Sequence, residues 1–133
     1  MECRYFLPPS GRLTLPFSPL SDVVKLLKMP PQSALNAERT FIDGPYCDLL
    51  VWITTENGRE RLVPHDYAAA FLSALVQHGA GHRKAEKRFL EGSSTAVQKI
   101  TASYSLPEFE RKRNEFMRNV AEDREVQVEG GAA

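Results

Sequence analysis

The chain has 133 residues, 42% of them apolar, and its 17 basic side chains balance 17 acidic ones for a formal net charge of zero. That composition supports one folded domain with its own core and excludes a disordered chain. The balance also excludes the long-range positive field that drives non-specific attachment to nucleic acid or membrane, although a local patch is compatible with it.

The opening "MECRYFLPPSGRL" places an acidic residue and prolines where a secretory leader would have its apolar stretch, and no run approaches the roughly 18 apolar residues of a membrane span. The chain therefore reads as cytoplasmic, with no membrane partner. Its two cysteines, Cys3 and Cys47, match no zinc or redox spacing and are not expected to pair in a reducing cytosol, and Cys47, which borders an apolar run, reads as a small buried or half-buried thiol.

Residues 3–7 and 12–17 are short β-like runs around the turn cluster "PPSG". "SPLSDVVKLLKMPP" predicts a short helix capped by Ser21 or Asp22, filled by Val23, Val24, Leu26 and Leu27, and stopped by Pro30 and Pro31. Residues 32–38 fit no pattern, and "RTFIDG" after them reads as a strand turning at Asp43-Gly44-Pro45. "CDLLVWITTENGRERLVP" carries the clearest β signal, because Leu49 to Thr55 is rich in β-branched and aromatic residues. Asn57-Gly58 suits the two positive-φ positions of a type I′ hairpin turn. That register sets Glu56 against Arg59, Ile53 against Leu62 and Trp52 against Val63, with the base of the hairpin inside the protein and a charged tip in water.

A helix from 64 to 78 follows, with Pro64 at its first turn. It is apolar nearly all round, which predicts a central core helix, and Gly79 fits the left-handed position that ends it. A short helix over 82–91 ends at Gly92. A second opens on a Thr95–Gln98 capping box and a third on Ser105–Glu108. The third should bury Leu106, Phe109, Phe116, Met117 and Val120. The predicted architecture is α+β. A small antiparallel sheet in a mainly β lobe (1–63) packs on a buried helix 64–78, three further helices complete a helical lobe (64–124), and 125–133 is a tail or short edge strand at 126–128.

"LVQHGAGHRKAEKRF" raises the first functional question. His78 and His82 are spaced for metal chelation only on a continuous helix, and Gly79 and Gly81 cost about 1 kcal/mol each there. The two histidines are therefore expected on separate elements, and neither metal nor cofactor is implied. Nucleotide-binding and nucleophile-elbow motifs are missing. A catalytic grouping of Cys47, His65 and His78 is the weakest of three functional readings.

The basic tract weighs more. Between 82 and 113, Arg83, Lys84, Lys87, Arg88, Lys99, Arg111, Lys112 and Arg113 meet only Glu86, Glu91, Glu108 and Glu110. Arg83, Lys84, Lys87 and Arg88 share one helical face, which suits solvation, an acidic protein partner or phosphates. The tract splits badly into a helix-turn-helix, because Arg88 and Gln98 would occupy its small or apolar positions. The leading expectation is a small non-catalytic protein-binding protein, an inhibitor, adaptor or accessory subunit. Its contact residues would be Arg83, Lys84, Lys87 and Arg88 with Glu56, Arg59 and Arg61 of the hairpin. Nucleic-acid binding through the basic tract is the alternative.

Overall fold

The computed structural model describes residues 3–7, 15–45 and 47–132, with side chains described as far as residue 119. The "PPSG" cluster and residues 12–14 lie outside this set. The elements are β1 (Ser18–Pro19), α1 (Leu20–Lys25), α2 (Pro31–Ile42), a single 3-10 turn (Cys47–Leu49), β2 (Val51–Thr55), β3 (Gly58–Val63), α3 (His65–Gln77), α4 (Ala85–Thr101) and α5 (Leu106–Ala132). The fold is α+β. Its antiparallel sheet has the order β1-β3-β2, and Phe6 and Phe17 add an isolated bridge beside it.

The core is organised around α1, a helix of six residues. Leu20, Val23, Val24 and the following Leu27 are all at most 2% exposed. They meet Val63 of β3, Ala68 and Leu72 of α3, and Ala85 and Phe89 of α4 in one apolar cluster. The helix at 65–77 is not the central element. Only Ala68 and Leu72 are fully buried there, Tyr67 and Phe71 are half-buried, and Ala70 and Ala74 face solvent. Its apolar surface exceeds the contact its two main helical neighbours, α1 and α4, provide.

The stretch before residue 64 is not mainly β either. Arg39–Ile42, expected as a strand, close α2, where Pro31 occupies the first turn. Ala37 and Phe41, four apart, are buried on one side, and the Phe41 ring meets Phe71 edge-on at 5.0 Å. That i, i+4 pairing decides for helix over the β-like local composition.

The hairpin forms between the expected strands but with a different turn. Thr55 pairs with Gly58, Thr54 with Arg59, Ile53 with Glu60, Trp52 with Arg61 and Val51 with Leu62. Gly58 has φ 100° and Asn57 has no positive φ, so the type I′ turn, which needs two such residues, does not form. The Thr55 hydroxyl accepts the Asn57 N–H at 3.1 Å and donates to the Glu60 carboxylate, a local bond set that draws the turn back along the chain. Relative to the expected pairing, β2 is displaced by two residues. A displacement of two, unlike one, leaves every side chain on its intended face.

Gly79 and Gly81 make the joint between α3 and α4, with φ 77° and 78°. Ala80 N–H donates to Leu75 O at 2.8 Å and Gly79 N–H to Val76 O at 3.0 Å, the paired bonds of a Schellman cap. The chain then passes over the end of α1. His82 N–H donates to Leu27 O at 2.7 Å, and a Cβ on Gly81 would stand 2.8 Å from the Leu27 side chain.

Two expected helices at 82–91 and 95–104 are in fact one, α4, which runs through Gly92 without a break. Gly92 is not a stop signal. A Cβ there would collide with the Tyr5 ring, whose hydroxyl donates to Phe89 O at 2.7 Å. Thr95 caps nothing, since its hydroxyl donates to Glu91 O one turn back at 3.0 Å. Of the α5 residues expected to be buried, Phe109 and Phe116 are half-buried, Leu106 and Met117 are 72% and 63% exposed, and Val120 lies outside the described side chains. The strand expected at 126–128 is absent, because α5 continues to Ala132.

Candidate functional site

Alternation along the hairpin sorts its residues onto two faces. The inner face carries Glu60, which meets Arg4 and, through it, Asp22 of α1. Arg4 Nε lies 2.8 Å from Asp22 Oδ2 and Arg4 Nη1 lies 3.0 Å from Glu60 Oε2. Arg4 therefore ties the N-terminal segment to both α1 and β3. Its guanidinium holds the Glu60 carboxyl below the usual carboxylate range, and the Thr55 hydroxyl adds to that effect.

The outer face carries Trp52, Arg59 and Arg61. Trp52 is 46% exposed, and the guanidinium carbons of Arg59 and Arg61 lie 4.5 and 4.4 Å from its ring centroid. Both distances are well inside cation–π range. The stacking fixes two otherwise mobile side chains while leaving the in-plane N–H groups able to pair with carboxylates. Trp52 was expected inside the protein at the hairpin base. It is 46% exposed on the edge strand β2, whereas Val63, on the same face of β3, is buried in the core. The readable signal was there, since Trp52 and the Arg-x-Arg pattern of β3 share a face in either register. Glu56 is exposed in the turn.

The basic tract spreads over more than one surface. Arg83 and Lys84 are exposed ahead of α4, and Lys87 lies 3.9 Å from Glu91. Arg88 and Lys99 line a groove of about 530 Å³ with two cations from elsewhere in the chain, Lys25 and Lys28, over a floor that includes Cys3 and Tyr5. Lys112 and Arg113 lie at a separate cleft of about 270 Å³ whose walls include Val97, Ile100, Phe116 and Met117. Lys112 is 3.7 Å from Glu115, Arg113 sits over Phe109, and Arg111 is exposed. Lys112 and Arg113 are therefore not on the groove that Arg88 and Lys99 line.

Burial decides the chemistry of the Cys3 thiol. Desolvation pushes its pKa up to about 11 despite the opposing hydrogen bonds and the nearby Arg4, so it stays protonated at neutral pH. His82 accepts the Lys84 N–H on Nδ1 at 3.1 Å, and its pKa is lowered by burial and then by Arg88 and Lys28 among its basic neighbours.

Cys47, His65 and His78 do not form one grouping. His65 and His78 mark opposite ends of α3, about 20 Å apart at the helical rise per residue. Cys47 is exposed on the 3-10 turn, with Asp48 as its hydrogen-bond partner. His65 instead lies 3.1 Å from Ser93 Oγ through Nδ1 and 5.3 Å from the Phe89 ring, and burial lowers its pKa. Ser93 and His65 have the spacing of a nucleophile and its base. At 2% exposure, however, Ser93 is sealed between α3 and α4, and the pair locks these helices together. Among the described residues, no three His, Cys, Asp or Glu side chains converge to hold a metal ion, and no helix is long and apolar enough to cross a membrane. No family model, curated protein or solved structure matches the chain.

Proposed function

We propose that this protein acts by binding an acidic surface of another protein through the outer face of its β2–β3 hairpin, as an inhibitor, adaptor or accessory subunit. One observation carries the reading, the exposed Trp52 ring with the Arg59 and Arg61 guanidinia packed against it. Tryptophan and arginine are the residue types most enriched among those that dominate interface energy. An exposed indole gains by burial against a partner, and the two guanidinia favour carboxylates and exclude basic surfaces. Glu56 at the turn and the Arg83–Arg88 segment are peripheral in this reading, because both are exposed without an apolar anchor. A reducing, cytoplasmic setting suits the two free cysteines.

The test is site-specific photo-crosslinking from position 52, with Gln98 as a control position, in nuclease-treated extract of the source cells. A partner captured from position 52 is purified and titrated against Trp52→Ala and Arg59→Glu/Arg61→Glu. Each variant should weaken binding by about 2 kcal/mol or more, as removal of an interface anchor does. A reversed charge on the partner should restore affinity for the Arg→Glu variant. Equal crosslinking from both positions, or unchanged affinity in both variants, would refute the assignment.

A further inference from the structure

The groove between α1 and α4 is a second recognition feature, independent of the hairpin. Lys25 and Lys28 stand on one wall, Arg88 and Lys99 on the other, and among the described residues Glu91 is the only acidic side chain lining it. Among the described residues, Lys28, Arg88 and Lys99 make no ion pair, whereas Glu91 lies 3.9 Å from Lys87. Several cations around one concavity repel one another, and this self-repulsion is relieved when an anion enters. His82, whose pKa is lowered first by burial and then by Arg88, Lys28, Lys84 and Arg83, has four cations around it at this end of the groove.

Lys28 supplies a separate indication. It has φ 52°, and among the described residues it is the one non-glycine residue with positive φ. That conformation costs an L-residue roughly 1 kcal/mol or more and would suit glycine better. The chain therefore keeps a lysine at some expense, at a position where its side chain lines the groove.

We propose that this groove is a binding site for a small polyanion carrying a chain of phosphates. The volume of about 530 Å³ falls within the range of small-molecule sites. Arg88 and Lys99 are about 16 Å apart along the axis of α4, so phosphates bridging the groove meet cations at both ends and on the facing wall. Lys112 and Arg113 line the other cleft and do not extend this groove for a longer nucleic-acid backbone.

Calorimetric titration of the full chain at low salt with tripolyphosphate, ATP, orthophosphate and a single-stranded oligonucleotide tests this. Tripolyphosphate should saturate one site, bind more tightly than orthophosphate and weaken as salt is raised. Equal affinity for ATP would assign the site to the phosphate chain alone, and tighter ATP binding would assign it to a nucleoside polyphosphate. Arg88→Gln/Lys99→Gln should weaken binding roughly tenfold or more. Lys28→Gly should weaken it while leaving the melting temperature equal or higher, which a merely structural lysine would not do. Three outcomes would each overturn the proposal: no saturable tripolyphosphate binding, unchanged affinity in both variants, or an oligonucleotide that binds more tightly and resists displacement by tripolyphosphate.

Discussion

Replacing Arg4 by Met should weaken the attachment of the N-terminal segment to the rest of the core, because one guanidinium serves two carboxylates. Arg4 Nε and Nη2 lie 2.8 and 3.2 Å from Asp22, and Nη1 and Nη2 lie 3.0 and 2.5 Å from Glu60. Asp22 is 4% exposed and Glu60 14%, whereas Arg4 is 36% exposed. Breaking a fully buried pair costs about 3–5 kcal/mol and an exposed one about 0–1. The partial exposure of Arg4 discounts the first figure, and Met preserves much of the packed stem. Asp22 also keeps the Arg4 backbone N–H at 3.0 Å. The expected loss at pH 7 is therefore about 2–3 kcal/mol, a fall in Tm of about 10 °C for a chain of this size. Urea unfolding with an unchanged m-value would measure it. The triple change Arg4→Met/Asp22→Asn/Glu60→Gln should recover part of the loss, since no unpaired charge is then buried. A pH dependence accompanies this. Glu60 is depressed in the folded state, so its stabilisation is present above the unfolded value of about 4.5 and disappears as pH falls through the folded pKa. That part of the acid limb should flatten in Arg4→Met. A loss below about 0.5 kcal/mol with an unaltered acid limb would refute this account of the network.

Gly92→Ala tests whether packing outranks helix propensity. Alanine gains about 1 kcal/mol over glycine in a helix interior, but its Cβ collides with Tyr5, and overpacking typically costs about 1–3 kcal/mol. The variant should melt lower than the parent, and the sign should reverse in a Tyr5→Ala background. Stabilisation in the parent background would show that Tyr5 moves aside freely. His65 is depressed by burial, so its contribution is complete above its unfolded value near 6.5 and is lost as pH falls through the folded pKa. Melting temperatures between about pH 5 and 8 should show this limb, and His65→Asn should remove it. His82, which is lowered as well, acts in the same window, so His82→Asn is the control that must leave the His65 limb in place.

Local signals located the α3–α4 joint well. Gly79 ends α3 as its sequence suggests, and the two histidines of "HGAGH" fall on separate elements. The α+β class was also legible, from the β-branched run before Asn57-Gly58 and the helical spacing after Pro64. Features set by distant contacts were not. Gly92 reads locally as a breaker, and only the approach of Tyr5 explains it within a helix. The hub α1 looked minor because it spans six residues between prolines, yet it is enclosed by β3, α3 and α4. The hairpin arginines were singled out without Trp52, because the choice between an inner and an outer face rests on which element covers β2. The basic groove was half visible. Arg88 and Lys99 belong to an obvious tract, but Lys25 and Lys28 join them only through the fold.

The bonds that hold the N-terminal segment have a consequence for how the chain matures. Arg4 waits for Glu60, 56 residues on, and Tyr5 for the carbonyl of Phe89, 84 residues on. Leu27 likewise receives the N–H of His82 only after α3 has been made. During synthesis from the N-terminus, α1 therefore carries its apolar side chains incompletely covered until the start of α4 has left the ribosome. Contacts of such long sequence separation slow folding and prolong the exposure of sticky surface. Truncation within α4 should consequently yield a chain that aggregates, rather than a smaller folded unit.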